Sequence, residues 1–174
     1  MITKDFLGEF ARYRAIGEKA IEQVSDDALN KIPSKDGNSI AMLVRHISGN
    51  LQSRFTGFLH ADGEKPWRRR DLEFEERTYS RSEVDAMWSA AWEVLETELA
   101  KLSDTDLQSK VSIRGVPFFV HEALCRALAH IGYHVGQIVV LARMLTESDW
   151  RWITIPKGKS EEYNQNPTKE KKMN

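Results

Sequence analysis

The apolar positions of the chain fall into four long stretches with helical spacing. From about Lys4 to Val24, Phe6, Phe10, Tyr13, Gly17, Ala20 and Val24 recur at steps of three and four. From about Ser39 to Leu59 the stripe is Ile40, Leu43, Val44, Ile47, Leu51, Phe55 and Phe58. From about Arg81 to Leu102 it is Val84, Met87, Trp88, Ala91, Leu95, Leu99 and Leu102. From about Phe118 to Leu145 it is Leu124, Leu128, Ile131, Val135, Ile138 and Ala142. Each stripe is broad enough to face a core rather than a coiled-coil seam. The pattern predicts an all-α chain of four long helices.

The ends of these stretches carry their own signals. Ser80 followed by Glu83 is a capping-box pattern that opens the third helix. Asn38 or Ser39 can cap the second, after the Pro33–Gly37 turn, and Pro117 suits the first turn of the fourth. Lys110 to Val116 reads as a short strand or an extended link. Ala61 to Tyr79 is a long polar connection, and loops of that length are more often functional than idle. One domain over residues 1–166 is expected, with 167–174 a polar tail. A faint repeat adds to this. Ser25-Asp26-Asp27-Ala28-Leu29 follows the first helix, and Ser103-Asp104-Thr105-Asp106-Leu107 follows the third. Aligning His46 with His130 places Asn50 on His134. Common helix-end residues could produce this by coincidence. Two helical hairpins about a pseudo-twofold axis would bring both histidine-bearing helices face to face.

Composition and charge then narrow the function classes. The chain has 174 residues and a formal net charge of −1, so no global field draws it to nucleic acid or to an acidic membrane. The run Trp67-Arg68-Arg69-Arg70 is followed by Asp71, Glu73, Glu75 and Glu76, and reads as a solvated mixed-charge loop. Cys125 is the sole cysteine and lies in an apolar run, which suggests a buried, inert thiol. The first residues lack an apolar leader pattern, so a cytoplasmic protein is expected.

His130 and His134 are four apart in a strongly helical segment and therefore share one face. That spacing lets two imidazoles converge on one metal ion. Gly132 and Gly136 flank His134, and each costs about 1 kcal/mol relative to alanine in a helix interior. Such a cost beside a histidine pair suggests close approach by another backbone or a ligand. His46 lies mid-helix beside Leu43 and Ile47, in a segment that also holds Gly49. His60 lies at its helix end, and His121 points away from His130, so both read as ordinary boundary residues. Three imidazoles and no fourth protein ligand would leave an ion with an open position, the layout of a catalytic site. Cys125 lies about 140° around the helix from His130 and would not share it.

Arg45-His46-Ile47-Ser48-Gly49-Asn50, then Asp62-Gly63-Glu64-Lys65-Pro66-Trp67, then His130-Ile131-Gly132-Tyr133-His134-Val135-Gly136-Gln137-Ile138 resemble the DinB-like superfamily. The superfamily includes YfiT-type proteins and thiol-dependent transferases, and the chain looks most like an uncharacterised bacterial branch of it. The resemblance implies a four-helix bundle with long connecting loops, in which His46, His130 and His134 hold a metal, commonly zinc or nickel. It also implies a homodimer and, for some relatives, transfer of a low-molecular-weight thiol to an electrophile. A hydrolase using metal-activated water and a non-catalytic metal- or ligand-binding protein are the alternatives. Each takes a small molecule, not nucleic acid or a membrane, as its partner.

Further candidates surround the three histidines. Asn50, one turn after His46, and Gln137, three after His134, could contact substrate or metal-bound water. Tyr133 and Arg126 are candidate cofactor contacts. Arg126 sits one turn before His130, where it could receive a carboxylate of a thiol cofactor or instead pair with Glu122. Trp67 and Arg68 could roof the pocket. The Trp150–Trp152 region could be a dimer contact.

Overall fold

The computed structural model describes residues 1–147 and 149–168. The expected tail is thus only partly covered, and 169–174 lie outside the described residues. The helices are α1 (Ile2–Ile21), α2 (Asp26–Asn30), α3 (Ile40–Phe55), α4 (Arg81–Ala100), α5 (Val120–Leu145) and α6 (Ser160–Gln165). Two 3₁₀ turns, Arg70–Phe74 and Asp104–Gln108, and a hairpin of β1 (Lys110–Ile113) with β2 (Val116–Phe119) complete it. The four long helices form a bundle, in agreement with the periodicity. Phe10, Leu43, Ile47, Leu51, Trp92, Leu95, Leu124, Ile131 and Ile138 are among its fully buried side chains. Among the described residues, α5 alone is long and apolar enough to cross a bilayer. Leu124, Ile131, Val135 and Ile138 on it instead fill the bundle core.

The expected caps form where the side chains can reach. Ser80 and Glu83 make both halves of the capping box. Ser39, not Asn38, caps α3 by accepting from the Met42 amide at 3.2 Å. Two boundaries differ. Phe55 ends α3 before Leu59, and Gly57 at φ 64° turns the chain back. Pro117 does not open α5; it lies in β2 opposite Ser112. The hairpin turns through Arg114 and Gly115, at φ 57° and 73°. This pair of left-handed residues is the geometry that two-residue hairpins favour.

The repeat has a structural counterpart. Ser25 leads into α2 and Ser103 into the Asp104–Gln108 turn. Asp104 accepts from the amides of Ile2 and Thr3, at 3.1 and 3.0 Å, at the start of α1. Its repeat mate Asp26 takes Arg81 Nε at 2.9 Å, at the start of α4. Each hairpin thus ties down the first helix of the other, as a twofold relation requires. It also brings His46 and His130 to within hydrogen-bond distance.

Candidate metal centre

His46 projects from the middle of α3, and His130 and His134 from the middle of α5. Their candidate ligand nitrogens all lie within 4.8 Å of one another. Nε2 of His46 and Nε2 of His130 are 3.1 Å apart. Two imidazoles on one tetrahedral zinc, with Zn–N near 2.05 Å, would place their nitrogens about 3.3 Å apart. His46 and His134 are buried, while His130 is half-buried.

The tautomers suit ligation. Nδ1 of His46 donates to Glu73 Oε2 at 2.8 Å, and Nδ1 of His134 donates to Gln137 Oε1 at 2.8 Å. Both Nε2 lone pairs then point into the site, the arrangement that outer partners give to metal-binding histidines. Nδ1 of His130 is buried and makes no hydrogen bond. Burial, followed by the charges that His134 and His46 would carry, lowers the His130 pKa to about 3. Burial also lowers that of His134, although its bond to Gln137 opposes the shift. Both imidazoles are therefore neutral at neutral pH, as metal ligands must be.

Glu73 is the residue that sequence reasoning missed. The mixed-charge pattern around it predicts a solvated loop, yet its side chain is only 7% exposed and that of Arg68 only 2%. Arg68 Nε and Nη2 clamp the carboxylate at 2.8 and 2.9 Å. The Arg70–Phe74 turn carries Glu73 under α3, and Phe74 packs against the His46 ring at 4.7 Å between centroids. Gly49 makes the space, because a Cβ there would fall 2.3 Å from Glu73 Oε1. A mid-helix glycine near a candidate histidine was the available signal, since only a glycine admits a carboxylate so close.

The other candidates separate into three groups. Asn50, Arg126, Tyr133 and Gln137 line a cleft of about 630 Å³ together with the three histidines. Arg126 makes no salt bridge with Glu122, whose carboxylate instead accepts from the Phe119 amide at 2.9 Å. Gln137 acts through His134 rather than standing free. Trp67 is 54% exposed and does not line the cleft, so the roofing expectation fails for it; Arg68 lines the cleft. Cys125 is exposed, not buried, because it faces away from the core stripe of α5. Gly132 admits the Tyr13 ring of α1, with Cζ 3.2 Å from where a Cβ would sit, whereas Gly136 meets nothing within 4 Å. His121 bonds the Leu107 carbonyl at 2.9 Å and His60 is exposed, and neither joins the cluster.

The Asp62-Gly63-Glu64-Lys65-Pro66-Trp67 motif scaffolds the cleft. Asp62 accepts from Ser112 Oγ at 2.5 Å and from the amides of Glu64, Arg114 and Gly115 at 2.7–2.8 Å. These donors hold its carboxyl well below the ordinary aspartate range, with the Ser112 bond the largest cause. Gly63 donates to the Ser112 carbonyl at 2.7 Å, so the loop and the hairpin are stitched together beside the cleft.

A helical bundle with a three-histidine, carboxylate-supported cluster in a cleft is the class of protein these features define. The chain belongs to the DUF1572 family of proteins of unknown function, whose model matches residues 3–159. A DinB-like protein from Bacillus cereus has a similar crystal structure, with a TM-score of 0.64 at 17% identity, covering 84% of this chain and 97% of that one. A DinB-like protein from Bacillus subtilis, YjoA, gives 0.64 and 17%, covering 85% and 96%. The expected DinB-like bundle is thus the observed fold. No curated protein matches the sequence.

Proposed function

We propose that this protein binds one divalent metal ion through His46, His130 and His134, and uses it to join a low-molecular-weight thiol to an electrophilic small molecule. One observation carries the reading: three imidazoles converge at a cleft, and among the described residues no carboxylate or thiol completes the set. Such an ion, zinc or nickel as the DinB-like resemblance implies, would supply Lewis acidity and favour the deprotonated form of a thiol. The chain's own residues orient the donors. Glu73 and Gln137 fix two imidazoles, Arg68 holds Glu73, and Asn50 presents an amide beside His46. In the reaction the thiol gives up its proton, its sulfur bonds the electrophilic carbon, and the leaving group departs with its electron pair.

The test is turnover by zinc- or nickel-loaded protein over a panel of thiols and electrophiles, against a His134→Ala control. Thiol-dependent product above the control is expected. Product equal to the control across the panel would refute the transferase reading, and ester hydrolysis without thiol would replace it by the hydrolase.

The reading includes a homodimer. Ala129, Tyr133, Gly136, Val140 and Met144 form an exposed, uncharged stripe along α5. The open space at Gly136 leaves room for a second helix, which would explain a glycine the single chain does not need. Trp152, with Arg143 of α5 4.7 Å above its ring, belongs to the same reading as a candidate contact.

A further inference from the structure

Five arginines, Arg54, Arg68, Arg70, Arg114 and Arg126, line the cleft that holds the histidine cluster, and no aspartate or glutamate does. Three have carboxylate partners, while Arg126 lies 5.9 Å over the Phe118 ring. Arg68 is clamped on Glu73, Arg114 Nε meets Glu64 at 3.0 Å, and Arg70 lies 3.9 Å from Asp71 and over the Phe74 ring. Arg54 and Arg126 have no ion pair among the described residues. Nη1 of Arg54 is out of contact with solvent and makes no hydrogen bond. A buried guanidinium donor without an acceptor is rare in folded proteins and calls for an explanation.

The scaffold keeps Arg54 in that position. A Cβ at Gly63 would lie 3.1 Å from its Nη1, so the glycine lets the stitched loop approach the guanidinium closely. Burial and the charges of Arg68, Arg114 and Arg126 all act against its proton. Glu64 acts in the other direction, but its carboxylate is already engaged by Arg114. Arg54 lies two helical turns after His46 and Arg126 one turn before His130. The separation along α3 is about 12 Å. Guanidinium groups match oxyanions in fork geometry, and a cleft lined by one sign of charge concentrates the opposite ion.

We propose that Arg54 and Arg126 form an oxyanion subsite, so that the small molecule taken by this cleft carries a carboxylate or phosphate at the end remote from the histidine cluster. This deepens the metal-dependent reading by defining a substrate class, and it rests on that reading only for what happens at the other end.

The test is calorimetric titration of the full chain with succinate, inorganic phosphate and the neutral isostere succinamide. It is run on zinc-loaded protein and again after chelation. Succinate or phosphate is expected to bind in both forms, more weakly as salt is raised, and the tighter of the two identifies the oxyanion. Arg126→Gln, a change at an exposed position, and Arg54→Gln should each weaken binding about tenfold or more. Zinc affinity in Arg126→Gln should stay within about twofold, since no metal donor is touched. Equal binding of succinate by wild type and Arg126→Gln, or succinamide binding as tightly as succinate, would overturn the subsite. Arginine-dependent anion binding by a protein that takes up no zinc would overturn the metal reading and leave the subsite standing.

Discussion

Replacing Gly49 by alanine tests the buried carboxylate beneath the histidines. In an ordinary helix interior the change adds about 1 kcal/mol of stability. Gly8 of α1 is such a position, exposed and with nothing within 4 Å of an added Cβ, so Gly8→Ala should stabilise by about that amount. At Gly49 the Cβ would meet Glu73 Oε1 at 2.3 Å and its Cδ at 3.0 Å. The carboxylate must shift, although both its oxygens are held by Arg68 and one by His46. Breaking a buried pair by displacing one partner costs roughly 3–5 kcal/mol. After the helix gain, a net loss of about 2–4 kcal/mol remains. For a chain of this size that lowers Tm by roughly 5–15 °C. Urea denaturation of both variants beside wild type reads the opposite signs directly. Gly49→Ala as stable as wild type would refute the placement of Glu73 under α3.

Four further outcomes follow from the same contacts. Glu73→Gln and Gln137→Ala should each weaken metal binding by about 10–100-fold in a competition titration with a chromogenic chelator, because the first replaces the carboxylate that Arg68 and His46 share with a neutral amide and the second removes the partner that orients His134. Trp67→Ala, at a position outside the cleft, should leave metal affinity unchanged within about twofold in the same titration. His130 has its folded pKa lowered to about 3, below the ordinary histidine value near 6.5. Its neutral form is therefore the folded form, and this contribution is intact above ~6.5 and lost as pH falls from there toward ~3, where the unfolded chain binds the extra proton. Urea midpoints of metal-free protein between those limits should fall less steeply in His130→Gln than in wild type. Gly136→Arg, which places charge on the exposed stripe of α5, should convert a dimer to a monomer in sedimentation velocity while leaving the helical signal unchanged.

The long helices were legible because each apolar stripe is continuous and each is needed by the core. Ser80 with Glu83, and the pair His130 and His134, are local patterns that the structure keeps nearly unchanged. The hairpin was harder to read. Pro117 looks like a helix opener, while the Arg114-Gly115 turn has an arginine where Asn or Asp is the usual signal. Glu73 was illegible for another reason. Its burial depends on a clamp by Arg68 five residues earlier and on space at Gly49 in a different helix. Nothing in an alternation of Arg and Glu separates one buried pair from its solvated neighbours. Cys125 shows the converse, an apolar run in which one position faces outward.

A single metal ion held by three histidines can be checked by metal stoichiometry together with X-ray absorption of the zinc-loaded protein. About one zinc per chain is expected, with three nitrogen neighbours of histidine type near 2.0 Å, and loss of the bound metal in His130→Ala and His134→Ala. Zinc bound equally by wild type and both variants, or no zinc retained by folded wild type, would contradict it.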